Sequence, residues 1–446
     1  MRFVRATLFA ILLGVAVGAS AQSLEGSWQG VLNVGGQQLK LVLHLSKDKA
    51  TLDSPDQGAF DIPAKLDLLT ADSVSVSVPS IGASYSGHLA GETLVGVFKQ
   101  QGYTFPLTLK RVAVAYNRPQ TPKGPFEYRA EEVTFTNPSA HAVLSGTLIY
   151  PKDFRKGVTP VALMATGSGL QNRDEEIAHH KPFLVIADYL AKRGVATLRY
   201  DDRSFGKSTG DATNATTKEF MEDARAGIDY LRGLKQFGKI GIIGHSEGGV
   251  IAFMLGAAGK VDFIVSLAGL AVTGRQCLAE QNRHILPEYG ATPEMTEQYI
   301  KLYEQVCDYL TAQPKSGDPD KVFDGMIQGS ELPPSMLENL RKLMHDNGPM
   351  SAFIALTPSE FIRQIHCPVL ALNGDKDIQV RATENIDVLK RDLPKNKQTV
   401  LKIYPGLNHL FQHCQKGDLK EYASIEETIS PEVLGDIATW INGFGK

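Results

Sequence analysis

Hydrophobic and polar positions follow two different rhythms along this chain. From Gln22 to about residue 115 they alternate. The stretches GSWQGVLNVGGQQLKLVLHL, SVSVSVPS, ASYSGHLAGETLVGVFKQ and YTFPLTLKRV have period-two patterning with turn residues between them. No helical repeat interrupts them, so residues 22–115 predict a small all-β domain, a barrel or a sandwich. His44 and His88 fall inside strand patterns and read as ordinary sheet residues. The proline-rich stretch YNRPQTPKGPFEY, residues 116–128, reads as a linker.

From residue 129 the rhythm changes. EEVTFTNPSAHAVLSGTLIYP predicts a hairpin, PVALMATGSG a strand into a glycine turn, HHKPFLVIADYLAKRG a helix and VATLRYDD a strand. TTKEFMEDARAGIDYLRGL follows as a helix, and KIGIIGHSEGG and VDFIVSLAG as further strands. Such alternation implies an α/β fold with a doubly wound, mostly parallel sheet covered on both faces, over residues 129–446. Between residues 272 and 352 three helical stretches run without a strand, which predicts a helical cap inserted over the strand ends. The sheet resumes at CPVLALNGDKD and QTVLKIYPG, and PEVLGDIATWINGF predicts a terminal helix.

Composition adds an address. Arg2 and Arg5 precede the apolar run LFAILLGVAV, and ASA precedes Gln22, the pattern of a signal peptide over residues 1–21. The run is too short for a stable membrane span, so no stable membrane anchor is expected and the mature chain is expected in the periplasm. The net charge of -3, without a large basic patch, argues against nucleic acid as a partner. Cys277, Cys307, Cys367 and Cys414 lack metal-ligand spacing. An oxidising compartment would permit Cys277–Cys307 or Cys367–Cys414 bridges, but four small buried hydrophobes is the simpler reading. No metal or organic cofactor is implied.

The candidate chemistry centres on a serine between glycines. Gly-x-Ser-x-Gly occurs twice, at Ser208 and Ser246. Only Ser246 follows a buried strand pattern and opens a helical one, the setting of a nucleophile elbow. Ser208 lies in a loop-like stretch, and no glycine stands where a phosphate-binding loop would need one. A serine nucleophile needs a base, and the base needs an acid to fix its tautomer. His409 follows the last strand pattern in a loop and is the candidate base, with His413 second. His245 sits in the elbow and points elsewhere, while His179 and His180 could line a pocket. Asp375 and Asp377 end the preceding strand; Asp377 is favoured as the acid, with Asp375 holding turn amides. Backbone N–H groups of Glu247, after the nucleophile, and Ser168, in the first glycine turn, are the candidate oxyanion donors. Arg173, Asp174, Asp202 and Arg203 read as a structural ion-pair network near the same strand ends.

The order Ser246, Asp377, His409, with GHSEGG and NGDKDIQV, resembles the α/β-hydrolase superfamily. TGSGLQNRDEE and DDRSFGKSTGD resemble a subgroup of bacterial serine esterases with patterns of the form HGSGPxDRDE and DDRGxGKS. Its GDxDxxV pattern places the acid at the second aspartate, here Asp377. Thr166 stands where that group often has histidine. The resemblance implies a secreted serine hydrolase that cleaves small-molecule carboxylic esters through an acyl-enzyme. Apolar cap residues such as Leu278, Ile285, Met295, Tyr299 and Leu302 cannot all face a core of their own in so short a segment, so some are expected to line the pocket and favour short to medium acyl chains. A serine peptidase or thioesterase would use the same machinery. A binding module with a degenerate hydrolase is the reading from another class, and an intact Ser-Asp-His set argues against it.

Overall fold

The computed structural model describes residues 23–34, 37–57, 59–112, 116–312 and 317–445. The expected signal peptide, residues 1–21, lies outside the described residues. Contacts divide the chain into two units, the first ending at Ala115 and the second beginning at Tyr116.

Alternation in the first unit builds antiparallel strands β1 (Gly26–Val34), β2 (Gln37–Leu45), β3 (Ala50–Ser54), β4 (Ala59–Leu69), β5 (Ser73–Val78), β6 (Ala83–Ala90), β7 (Thr93–Gln100) and β8 (Tyr103–Val112). They close into a barrel in sequential order, with β8 returning to β1. One side of each strand points inward, as period two requires, and Leu41, Leu43, Val74, Val76, Leu94 and Leu109 share one core with Trp28 and Tyr85. The Trp28 indole N–H donates to the Leu24 carbonyl at 2.8 Å, and the Arg111 guanidinium lies 4.5 Å from the ring centre. His44 is more than a plain sheet residue: its ring joins Ser27 Oγ at 2.8 Å and the buried Asp53 carboxylate at 2.9 Å.

The second unit holds a sheet of β9 (Arg129–Asn137), β10 (Ala142–Tyr150), β11 (Val161–Ala165), β12 (Ala196–Tyr200), β13 (Ile240–His245), β14 (Ile264–Leu267), β15 (Val369–Gly374) and β16 (Val400–Tyr404). Its order is β16-β15-β14-β13-β11-β12-β10-β9. β10 runs antiparallel to β9 and β12, and the remaining pairs are parallel. Every residue of β11, β12 and β13 is buried, which explains why these strands are mostly apolar rather than alternating; Thr197 and Arg199 in β12 and His245 at the end of β13 are the buried polar exceptions. Helices α1 (Pro182–Ala191) and α11 (Pro431–Asn442) bring Phe183, Ile186, Leu190, Ile437 and Ile441 to one core. Helices α2 (Thr217–Leu234), α3 (Glu247–Ala257) and α10 (Ala382–Asp392) bring Ile228, Leu231, Ile251, Ile386 and Leu389 to the other. A Thr216–Glu219 capping box starts α2.

The insert consists of α4 (Gly274–Glu288), α5 (Pro293–Thr311), α6 (Pro319–Met326), α7 (Pro334–Met344) and α8 (Pro349–Ile354), and α9 (Ser359–Ile362) follows it. Its ends meet: Gly274 N–H donates to the Leu356 carbonyl at 3.1 Å, and the Asn385 side chain accepts from the amides of Ala271 and Val272. The insert has its own hydrophobic core, with Tyr299, Leu302, Val306, Phe323 and Leu340 buried together and Leu278 and Met295 packed against them. This corrects the expectation that so short a segment cannot bury its apolar residues in a core of its own: four of the five candidates, Leu278, Met295, Tyr299 and Leu302, do so. Amphipathic helices that stack on one another consume their apolar stripes in doing so. The stretch read as a linker is also held down. Arg118 donates to the carbonyls of Ala178 and Ile425 at 2.8 Å, and Gln120 donates to that of Ile429 at 2.8 Å. Among the described residues, no helix is long and apolar enough to cross a membrane.

Candidate active site

The elbow forms because the backbone has nowhere else to go. β13 ends at His245, α3 begins at Glu247, and Ser246 alone makes the turn, at φ 52° and ψ -116°. A non-glycine residue in that region is strained, and such strain gathers at functional sites. The turn is possible because Gly244 and Gly248 carry no Cβ: one on Gly244 would strike the Gly248 carbonyl, and one on Gly248 the Ala165 carbonyl. Ser246 N–H donates to the Leu267 carbonyl at 2.9 Å, pinning the turn to β14.

Two other strand ends supply the histidine and the carboxylate. Asp377 follows β15 and is fully buried; His409 follows β16. Asp377 Oδ2 meets His409 Nδ1 at 2.7 Å, which leaves Nε2 as the other ring nitrogen. Asp377 Oδ1 accepts from the amides of Gln379 at 2.8 Å and Val380 at 2.9 Å, so the carboxylate cannot rotate without losing both. Asp375 has a different neighbour, accepting from the Gly406 amide at 2.6 Å. The exposed His413 pairs with Glu427 at 2.8 Å.

The glycine turn after β11 passes beside the elbow: a Cβ on Gly167 would lie 3.2 Å from that of Ser246. Ser168 Oγ donates to Glu247 Oε2 at 2.8 Å, and Thr217 Oγ1 to Glu247 Oε1 at 2.6 Å, so the two candidate oxyanion residues are tied by their side chains. The turn, Glu247, Tyr200, Asp202, Phe220 and Ile251 border a narrow void of about 10 Å³, room for one water. Burial pushes the Asp202 carboxyl up to about 7 despite hydrogen bonds from Thr166 and the Gln171 amide.

The other charges resolve into pairs. Arg173 bridges Asp201 and Glu132, Arg199 pairs with Asp174, and Arg203 grips Asp223 with two nitrogens. Ser208 is buried, donating to the Asp201 carbonyl at 2.7 Å and accepting from the Ser145 amide at 2.9 Å. Of the two histidines read as possible pocket residues, His180 is locked between Thr428 Oγ1 and the Tyr422 carbonyl, and burial lowers its pKa to about 4. His179 stacks on Tyr116 with ring centres 4.3 Å apart. All four cysteines are free thiols.

His245 does point away from the base position, but what it reaches was not legible. Its Nδ1 lies 2.9 Å from Glu175 Oε1, its Nε2 3.0 Å from the His409 carbonyl oxygen, and its ring centre 4.6 Å from that of His409. Burial pushes its pKa down, but the charge and hydrogen bond of Glu175 outweigh this and the pKa is raised. Glu175 Oε1 also accepts from the Gly167 amide at 2.9 Å. The only signal in the sequence was the coincidence of a histidine beside the nucleophile and an acid in the RDEE run.

A mostly parallel sheet clad by helices on both faces, a strained serine after β13 and a carboxylate–histidine pair after β15 and β16 define the α/β-hydrolase fold. The family model described as serine aminopeptidase, S33 matches residues 177–313, a span that includes Ser246. The esterase EstD of Thermotoga maritima is 24% identical over 299 residues, 67% of this chain and 65% of that one, just under two thirds of the relative's length. Among solved structures, an esterase of Pyrococcus furiosus is 16% identical with a TM-score of 0.45, over 75% of this chain and 100% of that one. A proline iminopeptidase of Mycobacterium smegmatis is 12% identical with a TM-score of 0.44, over 71% of this chain and 99% of that one. Fold alone does not choose between ester and amide substrates.

Proposed function

We propose that this protein is a serine hydrolase that cleaves small-molecule carboxylic esters through an acyl-enzyme. The observation that carries the reading is a strained Ser246 at a strand-to-helix turn, together with a histidine after a later strand whose Nδ1 is held by a buried carboxylate at 2.7 Å. In this reading His409 Nε2 takes the Ser246 proton as Oγ attacks the ester carbonyl, then gives it to the leaving alcohol. Water, deprotonated by the same nitrogen, releases the acid and frees the serine. Asp377 holds the tautomer and stabilises the imidazolium. The N–H groups of Glu247 and Ser168 receive the oxyanion. A preference for short to medium acyl chains is part of the proposal, to be read from the chain-length series below. Export to the periplasm, resting on residues 1–21, belongs to the same proposal.

A panel of p-nitrophenyl esters of graded chain length, run beside aminoacyl anilides, tests the reading. Turnover of short esters with kcat/KM falling along the series supports it. Faster turnover of the anilides would favour a second reading, an aminopeptidase, suggested by the description of the matching family model.

A further inference from the structure

Acyl transfer on Ser246 requires three pieces of backbone to keep their relative positions. They are the glycine turn after β11, the elbow, and the loop that carries His409. One buried pair of side chains touches all three. Glu175 Oε1 accepts from the Gly167 amide at 2.9 Å and faces His245 Nδ1 at 2.9 Å. His245 is joined by one peptide bond to Ser246, and its Nε2 reaches the His409 carbonyl at 3.0 Å. We propose that Glu175 and His245 are positioning residues: their carboxylate–imidazole bridge sets the spacing between oxyanion turn, nucleophile and base. The proposal rests on the serine-hydrolase reading and extends it to two residues outside the reacting set.

The chemistry of the ring supports a bridge rather than filler. Both nitrogens of His245 face acceptors, a carboxylate and a carbonyl, and a neutral imidazole can donate to only one of them. Satisfying both calls for the imidazolium, and Glu175 supplies the matching charge in a site where both side chains are buried. The loop that delivers Glu175 is itself strained. Glu175, Ala178 and His179 all have positive φ, at 53°, 51° and 61°, a cluster that persists only where the surroundings hold it. His180, locked by Thr428 and Tyr422, supplies that hold at the far end of the loop.

Two conservative variants in the full chain separate reach from charge. Glu175→Gln keeps an oxygen at the same distance, able to accept from both Gly167 and His245, but removes the charge, so a neutral His245 keeps those two links and gives up its donor toward the His409 carbonyl. Glu175→Asp keeps the charge and withdraws it by about 1.5 Å, one carbon–carbon bond. Active sites are titrated with a fluorophosphonate, and kcat on p-nitrophenyl acetate is expressed per titrated site. If the bridge sets geometry, Glu175→Gln should stay within about tenfold of the parent, and Glu175→Asp should lose about 100-fold in kcat with KM little changed. A role in folding alone would lower the melting temperature and the titratable fraction but leave kcat per site intact. That outcome overturns the proposal, as does Glu175→Gln proving no better than Glu175→Asp. A parent protein that neither labels nor turns over the ester refutes the hydrolase reading instead, and the positioning role falls with it.

Discussion

Asp377→Asn replaces one oxygen by nitrogen, and the surroundings dictate which one. Asp377 Oδ1 accepts from the Gln379 and Val380 amides at 2.8 and 2.9 Å, while Oδ2 faces His409 Nδ1 at 2.7 Å. An asparagine must keep its carbonyl oxygen on the two amides, because turning its NH₂ there would oppose donors twice in a buried site. The NH₂ then faces His409 Nδ1, which must be bare, and the ring proton moves to Nε2. That is the nitrogen that takes the Ser246 proton in the proposed mechanism. The base is left in the wrong tautomer and without an anion to stabilise its charged form. The expected loss is about 10⁴-fold in kcat, or about 5 kcal/mol of transition-state stabilisation, with the fold unchanged. Asp375→Asn is the control. Its partner is an amide N–H, which asparagine's oxygen also accepts, and the group is exposed, so its effect should stay within about 0.5 kcal/mol. Steady-state kinetics on p-nitrophenyl acetate, beside melting temperatures, give the answer. Asp377→Asn retaining activity within about tenfold of the parent, or Asp375→Asn proving the more damaging change, would refute the assignment.

Other expectations can be checked alongside. Ser246→Ala should abolish ester cleavage and fluorophosphonate labelling. Ser208→Ala should leave both intact but cost roughly 1–3 kcal/mol of stability in urea unfolding, since it orphans the Ser145 amide. Gly248→Ala should cripple the enzyme by driving a methyl into the Ala165 carbonyl and opening the elbow; near-parental labelling would contradict that geometry. Asp202 holds its proton to about pH 7 in the folded chain and only to its ordinary 3.8 when unfolded. Its stabilising contribution is therefore full below pH 3.8 and is lost as pH rises through 7, by at most about 4 kcal/mol. Urea midpoints of Asp202→Asn and parent, compared at several pH values, should diverge in favour of the variant as pH rises.

The fold was legible where one constraint acts alone. Period two along β1 to β8 has a single core to serve, and β11 and most of β13 are apolar runs because both faces are covered. Around Ser246 the glycines announce the elbow, since backbone approaches backbone there and no side chain fits. Asp377 and His409 could be marked as candidates by chain order. The Glu175–His245 bridge could not, because 70 positions separate its partners and only the folded sheet brings them together. The same limit applied to the cap. An apolar stripe such as that of Tyr299 and Leu302 announces burial without naming the surface that covers it, and neighbouring helices took it. At Arg118 and Gln120, proline content suggested a free tether, whereas long polar side chains bond it to distant carbonyls.

The insert leaves and rejoins the sheet at almost one point, where Gly274 meets Leu356 and a Cβ on Gly274 would strike the Phe353 carbonyl. A segment whose ends already touch, and which buries much of its apolar surface in itself while Cys277 packs on Val250 and Val380 beneath, places a limited demand on its host: lengthening it costs only the slow logarithm of loop closure. It is therefore the portion of the chain most open to exchange. A helical hairpin from another source, joined through residues 271–274 and 353–356 with Asn385 retained to hold the root amides, could be transplanted whole. Lineages built on such a joint can diversify above the strand ends while the sheet beneath stays fixed.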